Sequence, residues 1–221
     1  MGLHLIDIYR SPNVGVFMRA NDRFLLVPKG VALTKREKLA EALGVKAVEA
    51  SIAESRLLGP LMVLNGRGAL VSHLAENSEL AEIAGATGLR IERLESKFTA
   101  AGNLVVANDR FALASPILEP KALSQIRDVL GTEVERAAFN EYYQVGALMV
   151  ATNTGAAVYP ELGENDVERL GALFGVEAYP TSVNSGVPYV ASGIVANAAN
   201  AVVGNQTTGP ELVFITRALK V

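Results

Sequence analysis

The tetrapeptide "NDRF" occurs twice in this chain, as Asn21-Asp22-Arg23-Phe24 and again as Asn108-Asp109-Arg110-Phe111. Each copy lies between two apolar runs, and three kinds of marker around it share one period. Asparagines follow apolar runs at Asn21, Asn65, Asn108, Asn153 and Asn200, spaced 44, 43, 45 and 47. Glycines open those runs at Gly15, Gly59, Gly102, Gly146 and Gly193, spaced 44, 43, 44 and 47. Gly44, Gly88, Gly131 and Gly175 each end a helix-like segment. Self-similarity at such a period marks a repeat architecture, in which one unit cannot bury its apolar face alone.

Every unit reads β-β-α-β. An apolar run such as Gly102–Ala107 reads as the first strand. A tight turn carrying Asn follows, clearest in Leu64-Asn65-Gly66-Arg67, because Asn tolerates the left-handed backbone of short hairpins. A second short strand comes next, as in Phe24–Val27 or Ala69–Val71. The helix after it runs about three turns, with Thr34–Glu37 in the form of a capping box, Pro120 at a first helical position and a glycine at the end. Leu123, Ile126 and Leu130 give it one buried stripe. The alternating Leu89–Leu94 then reads as a strand with one wet face.

The expected fold class is α/β, a closed pseudo-fivefold ring in a single domain. The units run over residues 11–54, 55–98, 99–141, 142–188 and 189–221, and residues 1–10 close the ring. The fifth unit is short at "ELVFITRALKV", and the N-terminal run Leu3–Ile8 is the strand available to complete it. Closure removes exposed sheet edges, which is a physical reason for the two ends to meet.

Composition bounds what such a ring does. Half of the 221 residues are apolar and 19% are charged, enough for a sizeable core. The net charge of −3 argues against a protein held on nucleic acid by phosphate neutralisation, so no DNA partner is expected. There is no cysteine, which removes disulfides, thiolate metal sites and cysteine nucleophiles together. The start "MGLHLIDIYRSPN" has no basic region before a long apolar core, so no export signal and a cytoplasmic location are expected. From Ala178 to Pro210 there is no charge, but asparagines, prolines and glycines interrupt the run too often for a membrane span.

Several segments resemble a known family. "ASIAESRLLGPLMVLNGRGALV" (Ala50–Val71), "RIERLESKFTAAGNLVVANDRFAL" (Arg90–Leu113) and "GIVANAANAVVGNQTTGPEL" (Gly193–Leu212) are similar to the translation initiation factor 6 family in its archaeal form. The likeness runs from about Pro12 to Leu212. It implies the pentein fold, an α/β propeller. It also implies a factor that binds the large ribosomal subunit, at ribosomal proteins and near the sarcin-ricin loop, and blocks joining of the small subunit. It implies neither catalysis nor a cofactor, and a protein that acts as a monomer. The tail that eukaryotic members carry past the last repeat has no match here, so regulation through it is not expected.

The family's contact lies on one rim, around the starts of the first strands. Asn103 in "AAGNLVV" best matches the family pattern. Its counterparts in the other units are Val16, Pro60, Ala147 and Ile194. Eukaryotic members have an arginine at the Pro60 position, so a charge contact is not carried over there. Asn184, in the polar turn Asn184–Pro188, is a further candidate for rim contact. The repeated turn asparagines need no function beyond turn geometry.

An alternative class is a pentein-like small-molecule binder, or an enzyme that modifies guanidino groups, acting at the ring centre. That chemistry needs a thiolate and a general acid/base, and the chain has no Cys and two histidines, His4 and His73. Two histidines without a third ligand make no metal site. Asn65–Gly68 lacks the spacing of a phosphate loop and reads as a hairpin turn.

Overall fold

A computed structural model describes residues 2–221. Strand β1 (Gly2–Ile6) precedes the first unit, which contains α1 (Val14–Phe17), β2 (Arg19–Ala20), β3 (Phe24–Pro28), α2 (Leu33–Leu43) and β4 (Lys46–Ala50). The second unit has α3 (Leu58–Leu61), β5 (Met62–Leu64), β6 (Gly68–Val71), α4 (Asn77–Thr87) and β7 (Arg90–Arg93). The third has α5 (Ala101–Leu104), β8 (Val105–Ala107), β9 (Phe111–Ala114), α6 (Pro120–Leu130) and β10 (Glu133–Arg136). The fourth has α7 (Val145–Leu148), β11 (Met149–Ala151), β12 (Gly155–Val158), α8 (Glu164–Phe174) and β13 (Glu177–Pro180). The fifth has α9 (Val190–Gly193), β14 (Ile194–Ala196), β15 (Asn200–Gly204) and α10 (Gly209–Leu219).

Each unit holds one three-stranded sheet: an antiparallel hairpin, then a third strand parallel to the second and reached through the long helix. In the fifth sheet the third strand is β1, paired in parallel with β15 from Gly2↔Asn200 to Ile6↔Gly204. The N-terminus therefore completes the last unit, as the sequence suggests. Hairpin strands of successive units touch in order, β2 to β5 to β8 to β11 to β14 and back to β2, so the ring is closed.

One feature of the unit differs from the sequence reading. The run that begins at each periodic glycine is first a single helical turn and only then a strand; Gly102–Leu104 is helical and Val105–Ala107 is β8. Short apolar runs cannot be told apart by periodicity. The turn also explains the glycine. A Cβ on Gly59 would overlap the Gly15 carbonyl oxygen, one on Gly102 that of Gly59, and one on Gly146 that of Gly102. Five helical turns thus pack backbone to backbone around the axis. In the fifth unit the equivalent residue is Ala191 rather than Gly193, since α9 begins at Val190 where α7 begins at Val145.

The capping box at Thr34 does not form either. Helix α2 starts at Leu33 with Ala32 as its cap, which leaves Thr34 inside the first turn. The boxes present are Glu76 with Glu79 and Thr208 with Glu211. Gly44, Gly88, Gly131 and Gly175 do end helices, each with φ between 61° and 70°.

The core is distributed. Among the described residues there are five apolar clusters, and each straddles a seam between neighbouring units. Ile8, Leu25 and Leu39 of the closing seam meet Val195 and Val202 of the fifth unit. Phe111 of the third unit meets Phe174 of the fourth edge-on, centroids 5.3 Å apart. No unit has a core of its own, so stability depends on closure.

Candidate interaction face

The ring has two unlike rims. One is made by the hairpin turns, with Asp22, Gly66, Asp109, Asn153 and Ala198 at their tips and no large apolar side chain exposed there among the described residues. The other is made by the five helical turns, the loops before them and the N-termini of the long helices. Of ten exposed large apolar side chains among the described residues, seven belong to this second rim: Tyr9, Leu33, Leu57, Leu74, Tyr142, Tyr143 and Tyr189. Singly exposed apolar residues are ordinary; their concentration on one rim makes it the candidate contact surface.

At its centre stand Val16, Pro60, Asn103 and Ala147, each half-buried at the third residue of its helical turn. The structure thus brings four of the expected residues into one arc. It does not bring Ile194, which is 1% exposed and opens β14 inside the core. The equivalent residue is Ser192, whose Oγ is buried without a hydrogen-bond partner among the described residues. The two positions differ because the fifth loop is longer and Gly193 closes the helical turn instead of standing second in it. Asn103 is the one amide of the arc, and its side chain makes no hydrogen bond within the described residues.

Asn184 does not face outward on the rim either. It is 5% exposed, and its Nδ2 donates to the Pro12 carbonyl at 3.0 Å. Its side chain ties the loop at the end of the fourth unit to the start of the first instead of facing outward.

The loops of this rim are held in left-handed conformations, with positive φ at Tyr9, Arg10, Ala53, Glu54, Asn140, Asn184 and Ser185. Carboxylates from the long helices satisfy their freed backbone donors. Glu79 accepts from Ala53 N at 2.7 Å and Glu54 N at 2.9 Å. Glu211 accepts from Gly186 N at 2.8 Å, Ser185 N at 3.1 Å and the Ser182 hydroxyl at 2.7 Å. Burial opposes ionisation of Glu211, but these bonds and those from Thr208 overcome it and hold the carboxyl down to about 2. Glu79 is lowered in the same way. Glu119 is lowered first by its bond from the Ser96 hydroxyl, at 2.7 Å.

The ring axis is nearly filled. A cavity of ≈ 60 Å³ is lined by Arg19, Leu64, Val106, Met149 and Val195 among others, whereas ligand sites span roughly 300–1,000 Å³. The Arg19 guanidinium lies across it and donates to the Gly59 carbonyl at 2.9 Å. Its loss of solvent lowers its pKa to about 10, which leaves it charged at neutral pH. No histidine lines this cavity. His4 is exposed on β1 and His73 follows β6 in another unit. No group of three or more metal-ligating side chains exists among the described residues, and no helix there is long and apolar enough to cross a membrane.

Fold and face together define a five-unit α/β ring with one apolar rim and no ligand-sized chamber on its axis. The chain belongs to the eIF-6 family, a family of translation factors, which residues 3–218 match. It is 43% identical to translation initiation factor 6 of Nitrosopumilus maritimus (strain SCM1) and 39% identical to that of Pyrococcus abyssi (strain GE5 / Orsay). Each of these matches covers 99% of this chain and 99% of the relative. Among solved structures, a dimethylarginine dimethylaminohydrolase adduct with S-methyl-L-thiocitrulline is similar at a TM-score of 0.44 and 14% identity, over 78% of this chain and 68% of that one.

Proposed function

We propose that this protein binds the large ribosomal subunit through the rim of helical turns and sterically prevents its association with the small subunit. The observation that carries the reading is the concentration of seven exposed apolar side chains on that rim, against a hairpin rim that exposes none among the described residues, in a chain of the eIF-6 family. A body with a radius of gyration of about 17 Å, as compact-domain scaling gives for this length, occupies enough of a joining face to exclude a second subunit. The factor acts as a cytoplasmic monomer without chemical turnover or cofactor.

The contact is mainly to ribosomal protein, beside the sarcin-ricin loop. A chain of net charge −3 has no broad basic field to neutralise phosphates. Asn103 supplies a polar contact at the centre of the arc, and Val16, Pro60 and Ala147 supply close-fitting apolar ones.

Co-sedimentation through sucrose gradients tests this. The purified protein is run with large subunits, with small subunits, and with both at a magnesium concentration that joins them. Comigration with the large subunit alone and loss of the joined peak is the expected result. A protein that stays at the top of every gradient overturns the proposal.

A further inference from the structure

The tyrosines of the apolar rim are not in equal situations. At the seam of the first and second units, the Arg56 guanidinium lies 5.4 Å from the ring centre of Tyr9. That ring face is filled from within the chain. At the seam of the fourth and fifth units, Tyr142 stands between Tyr159, at 5.5 Å between centroids and 63° between planes, and Tyr189, at 6.2 Å and 80°. Tyr142, Tyr143 and Tyr189 are 37%, 49% and 41% exposed. Among the described residues no cation is stacked on any of the three.

The charge of this part of the chain is one-sided. Between Ala137 and Thr216 the chain carries seven carboxylates and one basic residue, Arg169. The basic residues of this half are committed elsewhere. Arg136 donates to the Leu118 carbonyl at 2.8 Å, Arg169 pairs with Glu135 at 2.8 Å, Arg217 lies 4.0 Å over the Tyr179 ring, and Lys220 pairs with Glu177 at 2.7 Å. Glu141 is exposed beside Tyr142, and Glu161 accepts the Tyr159 hydroxyl at 2.9 Å. Aromatic faces carry negative charge density and attract cations, more so beside carboxylates.

We infer that this tyrosine seam receives an arginine or lysine side chain from a basic protein segment of the docked partner. The inference rests on the proposed docking face and adds the chemistry of one anchor on it. Tyr142 and Tyr189 present ring faces to the cation, and Glu141 and Glu161 balance its charge. The same carboxylates repel phosphate, so the occupant is protein and not the ribosomal RNA backbone.

The test has two arms, both with the full chain. In the first, tyrosine ring resonances are followed while pentaarginine, pentaglutamate or spermidine is added. Shifts of Tyr142 and Tyr189 with pentaarginine, lost in the double variant Tyr142→Leu/Tyr189→Leu and kept in the double variant Tyr142→Phe/Tyr189→Phe, are expected. No shift with pentaarginine, or equal shifts with spermidine, overturns the assignment to a basic protein segment.

In the second arm, affinity for purified large subunits is measured for the same proteins. The Leu pair is expected to bind about three- to thirty-fold more weakly, with the Phe pair close to the parent. Both pairs change exposed side chains, and an unchanged thermal midpoint verifies the fold. If the parent binds subunits and the Leu pair binds equally well, the inference fails while the proposed function stands. If the parent itself does not bind, the proposed function fails and the peptide arm alone decides the seam.

Discussion

The Nδ2 of Asn65 donates to the main-chain carbonyl of Asn108, 43 residues further on, at 3.1 Å, and also to the Leu130 carbonyl at 2.8 Å. Its Oδ1 accepts from Arg67 N and Gly68 N, which closes its own hairpin. One buried amide therefore fixes a turn and links it to the next unit. Asn108 repeats the pattern with the carbonyls of Thr152 and Phe174, and Asn21 reaches the Asn65 carbonyl. In the fourth unit the Thr152 hydroxyl closes the turn, and in the fifth Asn197 does so while donating to the Leu43 carbonyl. The repeating positions are thus 21, 65, 108, 152 and 197, not Asn153 and Asn200. Asn153 instead donates to Asp22 and Asp109 on the hairpin rim.

Replacing Asn65 with Ala strands two buried acceptors and two backbone donors, at a cost of about 3 kcal/mol. Asn65→Thr keeps an acceptor for the turn, as Thr152 does, and is expected to lose about half as much. Urea unfolding curves with unchanged slope measure both.

Gly102→Ala places a Cβ against the carbonyls of Gly59 and Met62. Backbone atoms cannot yield as a side-chain tip does, so a loss of about 3 kcal/mol is expected, or a Tm lower by roughly 6–12 °C for a chain of this size. Ala191→Gly, at the equivalent point of the fifth unit, is expected to cost about 1 kcal/mol or less. Equal Tm values for the two variants would count against backbone contact as the reason for the glycine.

Glu211 titrates at about 2 in the folded chain, below its ordinary 4.5. A depressed carboxyl contributes stability that is present above its unfolded pKa and is lost as pH falls through the folded one. The protein is therefore expected to lose up to about 3 kcal/mol from this residue between pH 4.5 and 2. Glu211→Gln is expected to be less stable at pH 7 and to have a flatter acid limb, read from denaturant midpoints against pH.

Leu57→Glu and Asn103→Ala alter the apolar rim without touching the core. Each is expected to weaken large-subunit binding about tenfold in gradient or equilibrium binding assays. Arg67→Ala, on the hairpin rim, is expected to leave binding unchanged. The log–log salt slope of the parent is expected to be much shallower than that of a DNA-binding protein making 6–10 phosphate contacts. Steep salt dependence would reassign the contact to RNA.

Much of the architecture was legible because its causes are local. Glycines that end helices require positive φ at Gly44, Gly88, Gly131 and Gly175, whatever surrounds them. The period followed from such markers, and the deficit of one strand in the last unit pointed to β1. The arc of Val16, Pro60, Asn103 and Ala147 was legible for the same reason, since the preceding glycine marks its register. Register failed in the fourth and fifth units, where Thr replaces Asn, Ala replaces Gly and the rim loop is longer. A hydroxyl and an amide can close the same turn, so residue identity alone did not reveal the equivalence.

The sequence by itself determined the repeated unit, its number and the closure of the ring, because turn chemistry, helix termination and apolar patterning act within a few residues of chain. Only the tertiary structure decided which side chains face a partner. Asn184 is buried against the first unit, Ile194 lies in the cluster between the fourth and fifth units, and Glu79 and Glu211 reach across to stiffen the loops of the rim. Tyr142 and Tyr189, 47 residues apart, become neighbours only because the fourth and fifth units bury one cluster between them. Exposure is a property of the closed ring, since a seam exists only when both of its sides are in place.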